Sequence, residues 1–198
     1  MENKLKEKRG RDLFTKYKYI INIVIFLFKI SPRFLRTLVW NASNLSNGKL
    51  GVGIRYCILK NLAKSCGENI YIGRYVQIKH CSNLIIGNNV SVHDFCYIDA
   101  QGNIVIEDNV SIAHHTSLVS FNHTWGNEDL PIKDNPLILG PIVIHEDVWV
   151  GAGSRILSGV TINRRSVVAA GAVVVKDILP ATIVGGIPAK FIKSIGND

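Results

Sequence analysis

Of the six histidines, His80, His93, His114, His115, His123 and His145, one stands in a context unlike the others. His123 follows Asn122 and opens a polar stretch, Thr124-Trp125-Gly126-Asn127-Glu128-Asp129-Leu130-Pro131-Ile132-Lys133-Asp134-Asn135-Pro136, that contains two prolines. Histidine is the side chain type that can take a proton from a hydroxyl near neutral pH, so the chemistry on offer is general-base catalysis. Asn122 is the adjacent polar group. Asp99 is a candidate to orient the base or the hydroxyl; otherwise it is a turn residue. His114 and His115 are candidates to line the same cleft, whereas His80, His93 and His145 read as solvent-facing. The four cysteines, Cys57, Cys66, Cys81 and Cys96, include no C-x-x-C pair, and their spacing matches no zinc or redox signature. They read as reduced and buried, and no metal site is expected.

What positions His123 is a repeat. Ile144, Val150, Ile156, Ile162, Val168 and Val174 recur every sixth residue, with Val148, Ser154, Val160, Ser166, Ala172 and Ile178 four places behind them. An earlier block runs Ile72, Ile78, then Ile86, Val92, Ile98, then Ile106, Ile112 and Leu118, with a two-residue slip at each gap. A period of six is neither helical nor a simple strand alternation. It predicts a triangular coil with a short strand on each side, a turn at each corner, and about 18 residues per lap. Aliphatic residues point to the axis, and the place four residues on must be small. Asn122 occupies that place after Leu118, and the pattern then fails until Ile142. Loops of such length inside a compact domain usually carry function, so the break raises His123 above the other histidines.

Ile86-Gly87-Asn88-Asn89-Val90, Val148-Trp149-Val150-Gly151, Ser158-Gly159-Val160-Thr161-Ile162, Ala170-Gly171-Ala172-Val173-Val174-Val175-Lys176-Asp177 and Gly186-Ile187-Pro188-Ala189-Lys190 carry a resemblance. The sequence over about residues 70–193 resembles the hexapeptide-repeat acyltransferases, in particular the maltose, galactoside and polysaccharide O-acetyltransferases. The resemblance implies an all-β, left-handed parallel β-helix solenoid over residues 68–193, with a loop excursion at 122–141. Residues 1–67 form an α-helical N-terminal extension and 194–198 a tail. The resemblance also implies that His123 is the catalytic base for acyl transfer from acetyl-CoA, the co-substrate. By the same resemblance Trp149, Gly151 and Ala152 lie near the thioester arm, and Ala170 and Gly171 line the pantetheine. Lys176, Lys190 and Lys193 lie near the phosphates, where the family often has arginine at the last two places, a better bidentate partner for phosphate. A homotrimer is implied, with sites between subunits.

The formal charge of +8 is unevenly spread over the 198 residues. Residues 1–36 hold ten Lys/Arg against three Asp/Glu, a net +7, which leaves +1 for the rest. A near-neutral body with one basic tail argues against nucleic acid. The apolar run Ile20–Phe28 is about half of the ~20 residues a membrane-crossing helix needs, and no small-x-small cleavage site follows it. Flanking Lys, Arg, Tyr and Trp40 suit peripheral contact of residues 1–40 with an anionic membrane, and a cytoplasmic location. A helix packed on the core or on another subunit is the other reading of this segment. A second helix within 48–67, with Val52, Tyr56, Leu59 and Ala63 on one face and Gly67 as its C-cap, is expected to cover the open end of the coil. The acceptor expected is a sugar hydroxyl of a cell-surface polysaccharide or its lipid-linked precursor. The alternatives are a soluble sugar, a nucleotide-sugar amine or an antibiotic. A γ-type carbonic anhydrase shares the coil but needs three zinc-binding histidines, which the spacing here does not supply. A non-catalytic scaffold would leave the break at His123 without a purpose.

Overall fold

The computed structural model describes residues 10–46 and 48–196, and the side chains from Phe14 onward. The first nine residues of the basic tail lie outside the described residues. The body is a parallel β-solenoid of three faces. The first face stacks Ser65–Cys66, Leu84–Ile86, Ile104–Ile106, Ile142–Ile144 and Thr161–Ile162. On the second stand Tyr71–Ile72, Ser91–Val92, Ser111–Ile112, Trp149–Val150, Val167–Val168 and Thr182–Gly185, closed by the antiparallel Lys190–Ser194. The third carries Gln77–Lys79, Tyr97–Asp99, Ser117–Val119, Arg155–Ile156 and Val173–Val174.

The aliphatic columns read from the sequence are the core. Ile72, Val92, Ile112, Val150 and Val168 are fully buried above one another, as are Ile98, Leu118, Ile156 and Val174. Each such side chain contributes roughly 1.5–3 kcal/mol by leaving water. The inward corner places hold Val76, Cys96, Thr116, Ser154 and Ala172, all small enough for the taper and all buried. Lap length departs from expectation. Late laps step by eighteen residues, Trp149 beside Val167, but early laps step by twenty, Ser91 beside Ser111. The extra residues of both slips lie at one corner, between the third and first faces.

Turning tightly requires a residue in the left-handed region at each corner. Between the first and second faces these are Asn69, Asn89, Asn109, Asp147, Arg165 and Ala181, with φ from 53° to 60°. Asparagine tolerates this conformation better than most residues. The amides form a ladder, Asn69 Nδ2 donating to Asn89 Oδ1 at 3.0 Å and Asn89 Nδ2 to Asn109 Oδ1 at 3.2 Å.

Within the first lap, N–H groups donate to the second: Gly67 to Ile86 at 2.8 Å and Gly73 to Val92 at 2.7 Å. Other first-lap carbonyls accept from the second lap, as Glu68 O does from Asn89 N, but those of Cys66, Gly67 and Ile72 face outward, and burying them unpaired would cost about 1–3 kcal/mol each. Helix α3, Lys49–Leu62, lies over this end and supplies the donors. Arg55 Nε donates to Ile72 O at 2.8 Å, Tyr56 Oη to Gly67 O at 3.1 Å, and Lys60 Nζ to Cys66 O and to Gly67 O. Tyr56, Cys57, Ile58 and Leu59 are buried on the same helix. Its C-cap is Ala63, not Gly67. Gly67 belongs to the first lap, pressed so closely on the backbone of Gly87 that a side chain has no room.

Helix α1, Gly10–Ile30, packs across α3 through Phe14, Ile21, Val24, Ile25 and Phe28, with the Phe14 and Tyr56 rings edge-on at 5.6 Å. Helix α2, Arg33–Ser43, is pinned at its end by Asn44, whose Oδ1 accepts the Tyr75 N–H at 2.9 Å. Among the described residues no helix is long and apolar enough to cross a membrane. Cys57, Cys66 and Cys96 are free and buried, and burial pushes their thiols up to about 11.

Arg55 is 1% exposed, and desolvation lowers its pKa; its guanidinium also donates to Ser43 O at 2.5 Å. Arg55→Leu removes donors from two buried carbonyls while keeping most of the volume. A loss of about 2–4 kcal/mol in urea unfolding is expected, by the cost of unpaired buried polar groups.

Candidate active site

The corner between the third and first faces is built in three steps. His80, Ala100 and Ser120 occupy equivalent places in successive laps, as the backbone bonds Ala100 N to Lys79 O and Ser120 N to Asp99 O require. The first two laps turn here with two extra residues. From the third, the chain leaves altogether and returns at Ile142. Ser120, fully buried, fixes the departure point, its hydroxyl donating to Asp99 O at 2.8 Å and accepting from Gly102 N at 2.8 Å.

The excursion is ordered rather than loose. Phe121–His123 pairs antiparallel with Leu137–Leu139, His123 opposite Leu137. Beyond the hairpin, Asn135 is 4% exposed and gathers the tip: its Nδ2 donates to the carbonyls of Asn127, Leu130 and Pro131, and its Oδ1 accepts the Asn127 N–H at 3.0 Å. Thr124 donates to Pro136 O through both N–H and hydroxyl. His123 is thus held on a two-stranded arm, its ring 6.4 Å from that of Phe121, and it is exposed. Asn122 was expected at an inward corner place. It is exposed on the hairpin instead, because the turn into the excursion is made at Ser120, two residues earlier.

Asp99 does not orient His123 within the subunit. It is 3% exposed, and its Oδ1 accepts the Nδ1–H of His80 at 2.7 Å while Oδ2 accepts the Tyr97 hydroxyl at 3.2 Å. His80 is exposed, as expected, and is at the same time paired with Asp99 at this corner. His145 is paired as well, its Nδ1 3.0 Å from Glu107 Oε2, and His93 sits against Tyr71.

The corner between the second and third faces differs. Tyr75, Phe95 and His115 stack there, ring centroids 5.1 and 5.0 Å apart, all with positive φ. In the next two laps the same place is taken by Gly153 and Gly171, with φ of 70° and 72° and open space where a side chain would stand. The aromatic ladder ends, and a ledge of bare backbone begins. Ala152, Ala170 and Gly171 belong to this ledge, Gly171 N donating to Ala152 O at 2.8 Å, whereas Gly151 is buried beneath the backbone of Val168–Ala170. Trp149 leads into it from the second face, 55% exposed. Lys176 lies beyond the far edge of the third face, and exposed Lys190 and Lys193 stand on the terminal strand of the second.

The ledge and His123 occupy different corners, separated by the third face. A side of six residues spans roughly 15–20 Å at about 3.3 Å per residue. Among the described residues no group of three His, Cys, Asp or Glu could hold a metal ion. An apolar cavity of ≈ 630 Å³ lies at the helix-covered end, lined by Phe14, Ile21, Val24, Tyr56, Ile70 and Tyr71, far from the ledge along the coil.

Residues 141–176 match the family described as bacterial transferase hexapeptide (six repeats). The chain is 33% identical over 144 residues to galactoside O-acetyltransferase of Escherichia coli K12, covering 73% of this chain and 70% of that protein. A hexapeptide-repeat acetyltransferase of Vibrio cholerae, solved with acetyl coenzyme A, superposes with a TM-score of 0.73 at 28% identity, over 83% of this chain and 87% of that one. A maltose O-acetyltransferase of Clostridium difficile gives a TM-score of 0.67 at 25% identity, over 94% and 90%. The chain belongs to the hexapeptide-repeat acyltransferase family and is an enzyme of that class.

The ledge can be tested by closing it. Gly153→Phe extends a ladder whose backbone already accommodates Phe95 and His115 at similar φ. The variant is expected to fold with little change in melting temperature. Its KM for acetyl-CoA should rise by about tenfold or more, the cost of blocking one well-formed contact region.

Proposed function

We propose that this protein is an acetyl-CoA-dependent O-acetyltransferase acting on a sugar hydroxyl of a cell-surface polysaccharide or its lipid-linked precursor. The observation that carries the reading is the rigid arm that presents His123 from the one corner where the coil lengthens. Acetyl-CoA, when bound, supplies the activated acetyl thioester. The donor set fits it: Gly153 and Gly171 leave unobstructed backbone, Ala152 and Ala170 add no bulk, and Trp149 offers an apolar wall. His123 takes the proton of the acceptor hydroxyl through an imidazole nitrogen. The hydroxyl oxygen then forms the ester bond as the C–S bond breaks, and the thiolate leaves. No protein nucleophile is required.

Base and ledge lie on different corners of one chain, so the reading includes a homotrimer in which the arm of one subunit overhangs the ledge of the next. Trp125, Ile132 and Ile138 on the excursion are all more than 60% exposed in the single chain, as expected of surface that a neighbour covers. The left-handed sense of the coil belongs to the same reading, by family likeness. Galactoside and maltose acetylation in the relatives favours a sugar acceptor over an antibiotic or amine. His123→Ala is expected to lower turnover by about 10²–10⁴-fold, the usual contribution of a general base, with acetyl-CoA affinity unchanged. Near-normal transfer by that variant would remove the assignment.

The N-terminal helices point to a membrane-proximal acceptor. On α1, Tyr19, Ile20, Ile23, Phe26, Leu27 and Ile30 are exposed, and on α2 so are Phe34 and Leu38. Together with the basic tail, this surface suits a peripheral position on the cytoplasmic face of an anionic membrane. Flotation with phosphatidylglycerol vesicles is expected to carry the protein at low salt and to release much of it at high salt. Equal recovery in the soluble fraction with and without vesicles would remove the membrane contact.

A further inference from the structure

Beneath the departure point of the His123 arm, the same corner opens into a cleft of ≈ 780 Å³ between α2 and the first lap. Its polar lining comprises Arg33, Arg36, Thr37, Lys79, His80 and Ser82. Three of these are cations, and no described carboxylate forms an ion pair with any of them. Asp99, the carboxylate that faces this corner from the second lap, is committed to His80 and Tyr97. Arg36 Nε is buried from solvent without a hydrogen-bond acceptor. Burying an unpaired charged donor is costly, and Nε, closed off from solvent, meets an acceptor in the cleft only when the guanidinium turns towards it.

The cleft differs in kind from the apolar cavity at the helix-covered end. Guanidinium groups present planar forks that match phosphate oxygens, and a lysine and an imidazole N–H add point donors. Lys79 lines the cleft and is exposed, its ammonium resting over the Tyr97 ring of the second lap at 5.4 Å from the centroid. His80 lies two laps below Ser120, roughly 10 Å along the axis at about 4.8 Å per lap. A molecule seated in the cleft by an anionic group can therefore extend along the corner towards His123.

We infer that this cleft binds a phosphoryl or diphosphate group carried by the acceptor, with Arg36 and Lys79 as its principal ligands and Arg33 and His80 beside them. The inference rests on the acyl-transfer reading and narrows its substrate class to phosphorylated sugars, whether soluble or lipid-linked. Neutral galactosides and maltosides would lack this anchor.

Calorimetry with inorganic pyrophosphate tests the site on the full chain, kept saturated with coenzyme A so that the cofactor's own phosphate contacts are filled. Saturable binding is expected, weakened about tenfold or more in R36Q and in K79Q, since each removes a charge-assisted hydrogen bond. Lys79 is exposed, so K79Q probes the site even if R36Q fails to fold. Co-sedimentation of the same variants with phosphatidylglycerol vesicles separates a bound phosphate from general attraction to headgroups. Failure of the wild-type chain to bind pyrophosphate would overturn the inference, as would undiminished binding by K79Q. A loss confined to the vesicle arm would overturn it too, assigning these cations to the membrane surface. Failure of the wild-type chain to bind coenzyme A would bring down the acyl-transfer reading and this inference with it.

Discussion

In a parallel coil the backbone groups along each strand alternate between the lap above and the lap below, so Gly67 and Gly73 donate to the second lap while Asn89 and Ala100 donate back to Glu68 and Lys79. At the N-terminal end the carbonyls with no lap beneath them, Cys66, Gly67 and Ile72 among them, are left facing outward, and the rest of the molecule depends on their being met. An apolar helix would bury them unpaired. Helix α3 instead brings Arg55, Tyr56 and Lys60 to bear on Ile72, Gly67 and Cys66, so one helix both closes the core and ends the ladder. Helices α1 and α2 then pack around α3. Through that chain of contacts the position of α2 beside the first lap is set by a hydrogen-bonding need of the sheet.

The three corners divide the work. One is structural, a tight turn repeated in every lap and laced by an amide ladder over the first three. The second begins as an aromatic stack and ends as bare backbone, and that change of side chains produces a ledge without altering the turn. At the third, the turn itself is altered: two added residues in the first two laps, then a whole ordered arm. The repeat is relaxed at that corner alone, while the inward columns remain uniform throughout.

Much of this was legible from residue types. The inward columns admit only aliphatic residues, so Ile72 through Val174 declared the coil and its core. The break at Asn122–His123 declared where the coil was interrupted. Other features were hidden in the stacking. His80 and Asp99 are nineteen residues apart, and only a twenty-residue lap makes them neighbours; an eighteen-residue lap places them out of register. Asn122 was assigned inward by counting four from Leu118, a count that fails where the corner is longer. Asn135 looked like one more polar loop residue, and its burial follows from contacts that the sequence does not display. Gly67 resembled a helix terminus because the close approach of Gly87 lies twenty residues away in the chain.

The uneven lap length has a consequence for how such an enzyme can diversify. Because added residues at the third corner leave the neighbouring strands in register, that corner can lengthen or shorten without disturbing the columns on which stability rests. The ledge, proposed above as the donor side, enjoys no such freedom, since it is the backbone of the turn itself. Drift in one half of the reaction is thereby insulated from the other. A lineage built on this coil can exchange the molecule it modifies while holding constant the group it transfers.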